Sequence, residues 1–303
     1  VLDYTNSDAN FGTMDEFKEL VDTAHKHGIR VVMDIVLNHA GYNSLYDMNE
    51  YDFGSVKSGW EDYYYSMTNV NNKDYHSYID YEADATAWGK WWGPDWVRAG
   101  LPGYTEGGGG SYTMSLAGLP DFRTESTATV GIPAFLEKKW KSEGRYDSEV
   151  AELKNYLSSH GYDMTVTNCI SYWLSSWVRE YGVDGFRCDT AKHVEFESWK
   201  RLKDMCTEAL KTWKTNNPDK KLDDLDFWMT GECWDHGVSN DEYYSKGGFD
   251  SMINFETTGG GMLAEGRIDS LYNGYAAAIN DTPGFNVLSY MSSHDSTLAR
   301  GNM

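Results

Sequence analysis

Four acids interrupt, close or follow apolar runs in this sequence and are the side chains best placed to do chemistry: Asp34, Asp189, Glu232 and Asp295. The clearest case is Gly185-Phe186-Arg187-Cys188-Asp189. In a strand, successive side chains point to opposite faces, so Arg187 and Asp189 share one face while Phe186 and Cys188 share the other. An Arg and an Asp on one face of a buried parallel strand are costly unless they are paired or functional. A structural ion pair is about as frequent an explanation as a site. Position favours the site, because the acid lies at the C-terminal end of the strand, where α/β barrels keep their active residues. Asp34 alone is more often a structural hydrogen-bonding acid, and His39 alone more often a satisfied polar residue.

The elements that must position these acids follow from periodicity. Ile170, Trp173, Leu174, Trp177, Val178 and Tyr181 recur at helical spacing, and Gly182 ends that helix in a left-handed position. Thr13 and Glu16 form a capping box, which predicts a helix over 14–27 stopped by Gly28. Ile29 to Val36 reads as a buried strand, and Phe196 to Trp213 carries the apolar face of a helix over 194–215. Further strands are expected over 226–234, 249–255 and 285–293, with a mainly helical stretch over 262–279. Strands alternating with helices, with acids at successive strand ends, favour a parallel barrel over an open sheet. Between Gly41 and about Val166 the pattern dissolves into Tyr-, Trp-, Asn- and Gly-rich sequence. That length exceeds any ordinary connection and implies an inserted subdomain, irregular and partly β.

Composition narrows the partners. The 303 residues carry a net charge of −21, which argues against nucleic acid or an anionic membrane surface. With 22 Tyr and 12 Trp the chain is suited to stacking on sugar rings, although the same residues fill ordinary cores. Cys169, Cys188, Cys206 and Cys233 lack paired metal-ligand spacing, so core thiols are expected rather than zinc. No run is long enough to span a bilayer, and no signal peptide is recognisable.

The strand-end motifs match a known pattern. Asp34-Ile-Val-Leu-Asn38-His39, Gly185-Phe-Arg187-Cys-Asp189-Thr-Ala-Lys192-His193, Gly231-Glu232 and Ser293-His294-Asp295 resemble, in order, the four signature strand ends of the α-amylase family of glycoside hydrolases. Leu119-Pro120-Asp121 is similar to that family's inserted-domain motif, and the whole chain looks like the bacterial periplasmic maltodextrin-cleaving members. The resemblance implies a (β/α)8 TIM barrel, of which about strands three to seven are recognisable here. Residues 1–40 and 166–303 would form barrel parts around an irregular, β-rich insert over 41–165.

The resemblance also implies roles. Asp189 would be the nucleophile, Glu232 the general acid and base, and Asp295 a transition-state stabiliser. Retention of configuration asks for two carboxyls about 5–5.5 Å apart. Arg187 would keep the nucleophile ionised, and Glu232 would need a raised pKa to arrive protonated. His39 and His294 would bind the sugar before the cleaved bond, while Lys192, His193 and Trp234 would line the leaving-group side. Asp34 would support the site by hydrogen bonds. Asn38, Asp121 and the backbone carbonyl of His193 would hold Ca²⁺, although Phe122-Arg123 departs from the Leu followed by Asn or Asp of many relatives.

The activity implied is endo-acting, retaining hydrolysis of α-1,4-glucan in starch or maltodextrins. An α-glucosidase, cyclomaltodextrinase or transglycosylase on the same scaffold, or a non-catalytic glucan-binding barrel, are the alternatives. An exported protein, periplasmic or extracellular, and a monomer are expected.

Overall fold

The computed structural model describes residues 2–65, 76–257, 266–290 and 292–295. The chain divides into two compact units, Val1–Asn6 with Asn38–Ile170 and Ser7–Leu37 with Ser171–Met303.

The second unit is an α/β sheet. Its five strands are β1 (Val32–Val36), β4 (Gly185–Asp189), β5 (Trp228–Gly231), β6 (Ser251–Asn254) and β7 (Val287–Ser289), adjacent in that order and all parallel. Helix α1 (Met14–Lys26) opens on the expected capping box, with the Glu16 amide donating to Thr13 Oγ1 at 3.2 Å and the Thr13 amide donating to Glu16 at 2.7 Å. Helix α5 (Val166–Tyr181) stops where Gly182 takes φ 76°, and a Cβ there would collide with the Trp213 ring. Helix α6 (Phe196–Asn216) buries Trp199, Leu202, Cys206, Leu210 and Trp213. Behind the sheet, Phe186 packs edge-on to Phe227 at 5.0 Å, and Cys188 is fully buried on the same face.

The lower end of β4 is clamped. Asp184 accepts from the Val31 amide at 2.8 Å and meets His25 Nε2 at 2.8 Å, while its own amide donates to the Val31 carbonyl at 3.0 Å. Strands are shorter than their apolar runs suggested. Ile29 is 59% exposed and lies before β1, because Gly28 leaves the helix in a positive-φ turn and pairing begins only at Val32. The expected strand over 285–293 pairs only from Val287 to Ser289. Helix α7 (Ile268–Asn280) replaces the expected 262–279, of which residues 262–265 lie outside the described residues.

In the first unit lie α2 (Leu45–Tyr51), β2 (Val97–Arg98), β3 (Asp121–Phe122), α3 (Ala134–Ser142) and α4 (Tyr146–Ser159). The β content is smaller than expected: among the described residues it is one antiparallel ladder of two-residue strands and two isolated bridges. Ring packing takes its place. Trp92 lies 4.9 Å from Phe122 and 5.2 Å from Phe135, and Trp91, Trp140 and Phe53 are fully buried with them. Bulky rings separated by Gly and Pro fill a core through loops and short helices more readily than through paired strands. Asp3 fastens the unit's N-terminal residues to Lys139 at 2.9 Å, Trp140 Nε1 at 3.0 Å and Arg145.

Among the described residues no helix is long and apolar enough to cross a membrane. All four cysteines are buried and unpaired.

Candidate active site

Parallel register brings the polar side chains to one face. Asp34 on β1 pairs with Arg187 on β4, and Arg187 with Thr230 on β5. Val36 pairs with Asp189, and the Glu232 amide donates to the Cys188 carbonyl at 2.8 Å, which extends the ladder one residue past β5. The C-terminal ends of two adjacent strands therefore deliver Asp189 and Glu232 side by side.

Arg187 organises the cluster. Its Nη1 donates to Asp189 at 2.7 Å and to Asp34 at 3.0 Å, and its Nη2 lies 3.1 Å from Glu232 Oε1. The planar fork of a guanidinium suits this multiple grip in a way that a point charge would not. Asp34 thus supports the cluster as expected.

The two carboxyls share one guanidinium, Asp189 on Nη1 and Glu232 on Nη2. The surroundings of Glu232 favour its protonated form. Burial raises its pKa, the Thr190 amide and Arg187 lower it, the Asp189 charge raises it, and the balance is upward.

The turn that follows β4 was not legible in the sequence. Thr190 adopts φ 50° and ψ 39°, left-handed and rare for a β-branched residue. In that conformation its amide donates to Glu232 Oε2 at 3.2 Å, and the next amide, Ala191, donates to the Glu232 carbonyl at 2.7 Å. Two backbone donors aimed at one acid are a feature that residue types and spacing do not announce.

The remaining candidates fall in different places. Lys192 is exposed and His193 half-buried on the short 3₁₀ turn Ala191–His193. Trp234 is 54% exposed on the loop after β5. Asp295 is exposed, with its carboxylate 2.9 Å from His294 Nε2 and its amide donating to Ser293 Oγ. Among the described residues Asp295 makes no bond to Arg187, Asp189 or Glu232, so the structure does not bring this third acid into the cluster.

His39, Asn38 and Asp121 belong to the first unit. There the Tyr4 hydroxyl donates to the His39 carbonyl at 3.4 Å, and His39 forms an isolated bridge with Asp121. Among the described residues no group of three or more His, Cys, Asp or Glu side chains is suited to a metal ion. Two buried oxygen-bearing side chains lie on neighbouring segments of the chain. The Phe122 amide donates to the Asn38 carbonyl at 2.8 Å, which sets Asn38 beside the strand bearing Asp121. Both side chains are about 1% exposed, and Asn38 Oδ1 is buried without a hydrogen-bond partner. A buried amide oxygen beside a buried carboxylate fits a hard cation such as Ca²⁺. Arg98 already meets Asp121 Oδ2 at 2.9 Å, so part of that carboxylate's charge is answered within the protein.

Comparison with known proteins follows the same lines. Residues 1–94 match the family described as "Alpha amylase, catalytic domain". The chain is 42% identical to the periplasmic alpha-amylase of Escherichia coli (strain K12), covering 98% of this chain and 43% of that protein. It is 27% identical to an alpha-amylase of Streptomyces lividans, covering 84% of this chain and 25% of that protein. A solved cyclomaltodextrinase superposes with a TM-score of 0.51 at 20% identity, covering 100% of this chain and 38% of the other. The chain spans less than half the length of each of these relatives.

Proposed function

The chain belongs to the α-amylase family of glycoside hydrolases, and from that premise we propose that it carries the nucleophile and the acid/base of a retaining α-1,4-glucan hydrolase acting on starch or maltodextrins. The observation that carries this reading is the Arg187 fork holding Asp189 and Glu232 together at the ends of β4 and β5. In the first step the Asp189 carboxylate attacks the anomeric carbon, the glycosidic C–O bond breaks, and the Glu232 proton passes to the departing oxygen. In the second, Glu232 takes a proton from water, whose oxygen displaces Asp189 from the sugar. The product is a hemiacetal of unchanged configuration, and both carboxyls return to their starting states. Asp295 is assigned to the transition state by resemblance alone.

The five-stranded sheet is read as part of a TIM barrel, with 1–40 and 166–303 as barrel parts and 41–165 as the family's inserted domain. Ca²⁺, with Asn38 and Asp121 among its oxygen donors, would stabilise that insert and take no part in bond making. Likeness to a periplasmic enzyme suggests export.

The test is release of reducing ends from soluble starch by the 303-residue chain, with Asp189→Asn as the control. Mixed oligosaccharides from the parent chain and none from the variant support endo-acting hydrolysis through Asp189. Glucose as the sole product would overturn the endo-acting part. Binding of maltodextrin without turnover would overturn the enzymatic part.

A further inference from the structure

The loop after β5 carries an exposed indole on an aromatic row that no motif of the sequence singles out. Trp234 follows Glu232 by two residues, and its ring lies 5.1 Å from the Phe255 ring at 49°. Phe255 is the first residue past β6, and its ring lies 5.6 Å from that of Tyr290 at 89°. Tyr290 is the first residue past β7. Three successive parallel strands therefore each present one aromatic residue just beyond their C-terminal ends, and the three rings are in contact in a row.

The backbone reinforces the row. The Phe255 amide donates to the His236 carbonyl at 2.8 Å, which ties the end of β6 to the loop holding Trp234. His236 is fixed in turn by Asp241 at 2.9 Å. Asp235 takes φ 68°, so the loop reverses directly after the indole. An indole more than half exposed on such a reversal would sample several rotamers if nothing packed behind it. Phe255 supplies a ring contact at 5.1 Å while Trp234 stays 54% exposed, which leaves indole surface for a pyranose ring to stack on.

We propose that Phe255, backed by Tyr290, is a positioning residue for sugar binding that holds the Trp234 indole ready to stack on a glucosyl unit of the leaving-group chain. This rests on the reading of Trp234 as a substrate contact. Phe255 acts through Trp234 and does not itself touch the sugar.

A double-mutant cycle tests it, with maltoheptaose as the probe and binding to the Asp189→Asn protein read by calorimetry. Trp234→Ala weakens binding about tenfold, the value of one aromatic stacking contact. Phe255→Leu keeps apolar bulk but loses the ring, and weakens binding by a similar or somewhat smaller factor. Phe255→Tyr keeps the ring and binds within about twofold of the parent. In the Trp234→Ala background, Phe255→Leu changes nothing further, because the residue it positions is gone. If Phe255→Leu leaves binding intact while Trp234→Ala weakens it, the positioning role is overturned and the substrate reading stands. If Phe255→Leu weakens both backgrounds equally, it acts on the fold or on the sugar itself, and the role is again overturned. If Trp234→Ala has no effect, the substrate reading of Trp234 falls and this inference falls with it.

Discussion

Replacing Arg187 by Met would remove the one cation that holds three carboxyls. The guanidinium lies within 3.1 Å of Glu232, 2.7 Å of Asp189 and 3.0 Å of Asp34. Breaking a buried ion pair from one side costs about 3–5 kcal/mol, because the stranded charge keeps its desolvation penalty. Asp34 is 57% exposed and water screens it, so the loss comes from Asp189 and Glu232, and the lower end of that range, about 3 kcal/mol at pH 7, is expected. The pH dependence has a definite sign. Without Arg187 the folded cluster holds protons that the unfolded chain has already released. The variant's deficit relative to the parent therefore grows as pH rises and shrinks toward acid pH, where the carboxyls are protonated in both states. In the parent the contribution of Glu232 has the same sign and is weaker, since burial raises it while Arg187 lowers it. Arg187→Lys keeps the charge but loses the fork, so its deficit is smaller. In turnover, removing the cation lifts Glu232 further, and the falling limb of the pH–rate profile moves to higher pH. Urea unfolding between pH 4.5 and 8, together with the pH profile of maltoheptaose hydrolysis, reads both effects. A deficit identical at pH 5 and pH 8, or a falling limb that stays where the parent has it, would refute the reasoning.

Glu232→Gln should lose far more activity on natural maltodextrins than on substrates with an activated aryl leaving group, which need no proton, and equal losses on both would count against the acid/base role. Treatment with a chelator should lower the melting temperature by roughly 4 °C if the protein had been saturated about a hundredfold above its Kd for calcium, whereas an unmoved transition would remove the Asn38 and Asp121 assignment. Gly182→Ala should destabilise by about 2–4 kcal/mol, because alanine is disfavoured at φ 76° and its Cβ would strike the buried Trp213 ring. Activity per folded molecule should be kept, and a loss of activity without a loss of stability would place Gly182 in the site rather than in the frame.

Local signals were the legible part of the sequence. A capping box at Thr13 and Glu16 and a left-handed stop at Gly182 each act within one turn of chain, and both are found as expected. Strand alternation placed Arg187 and Asp189 on one face, and the ladder bears that out. What stayed hidden depends on contacts made across the fold. The meeting of Asp189 and Glu232 on one guanidinium needs the registers of β4 and β5, and the Thr190 amide reaches Glu232 only through a backbone conformation that threonine seldom takes. The insert over 41–165 was expected to be irregular and β-rich from its length and the family resemblance, and ring packing through loops and short helices takes the place of most of that β structure. Strand ends were overestimated for a similar reason: an apolar run records burial, while a strand ends where its neighbour stops pairing.

Register also explains why the frame and the chemistry cannot be separated in the second unit. Side chains alternate with a period of two, so a slip of one residue between β1 and β4 would turn Arg187 away from Asp34 and carry Asp189 to the core face. Hydrophobic packing alone resists such a slip, since it would bury the guanidinium where Phe186 and Cys188 now sit. The clamp at the lower end adds directional bonds to that resistance. Asp184 receives the Val31 amide and its own amide reaches the Val31 carbonyl, so two contacts fix β4 against the entry to β1 next to the first ladder pair, and a third, to His25, ties it to α1. Four residues on from Gly185, that register fixes where Asp189 emerges, and through the Glu232 amide on the Cys188 carbonyl it fixes the acid on the next strand as well. The polar cluster at the lower end thus determines which face the acids at the upper end can use.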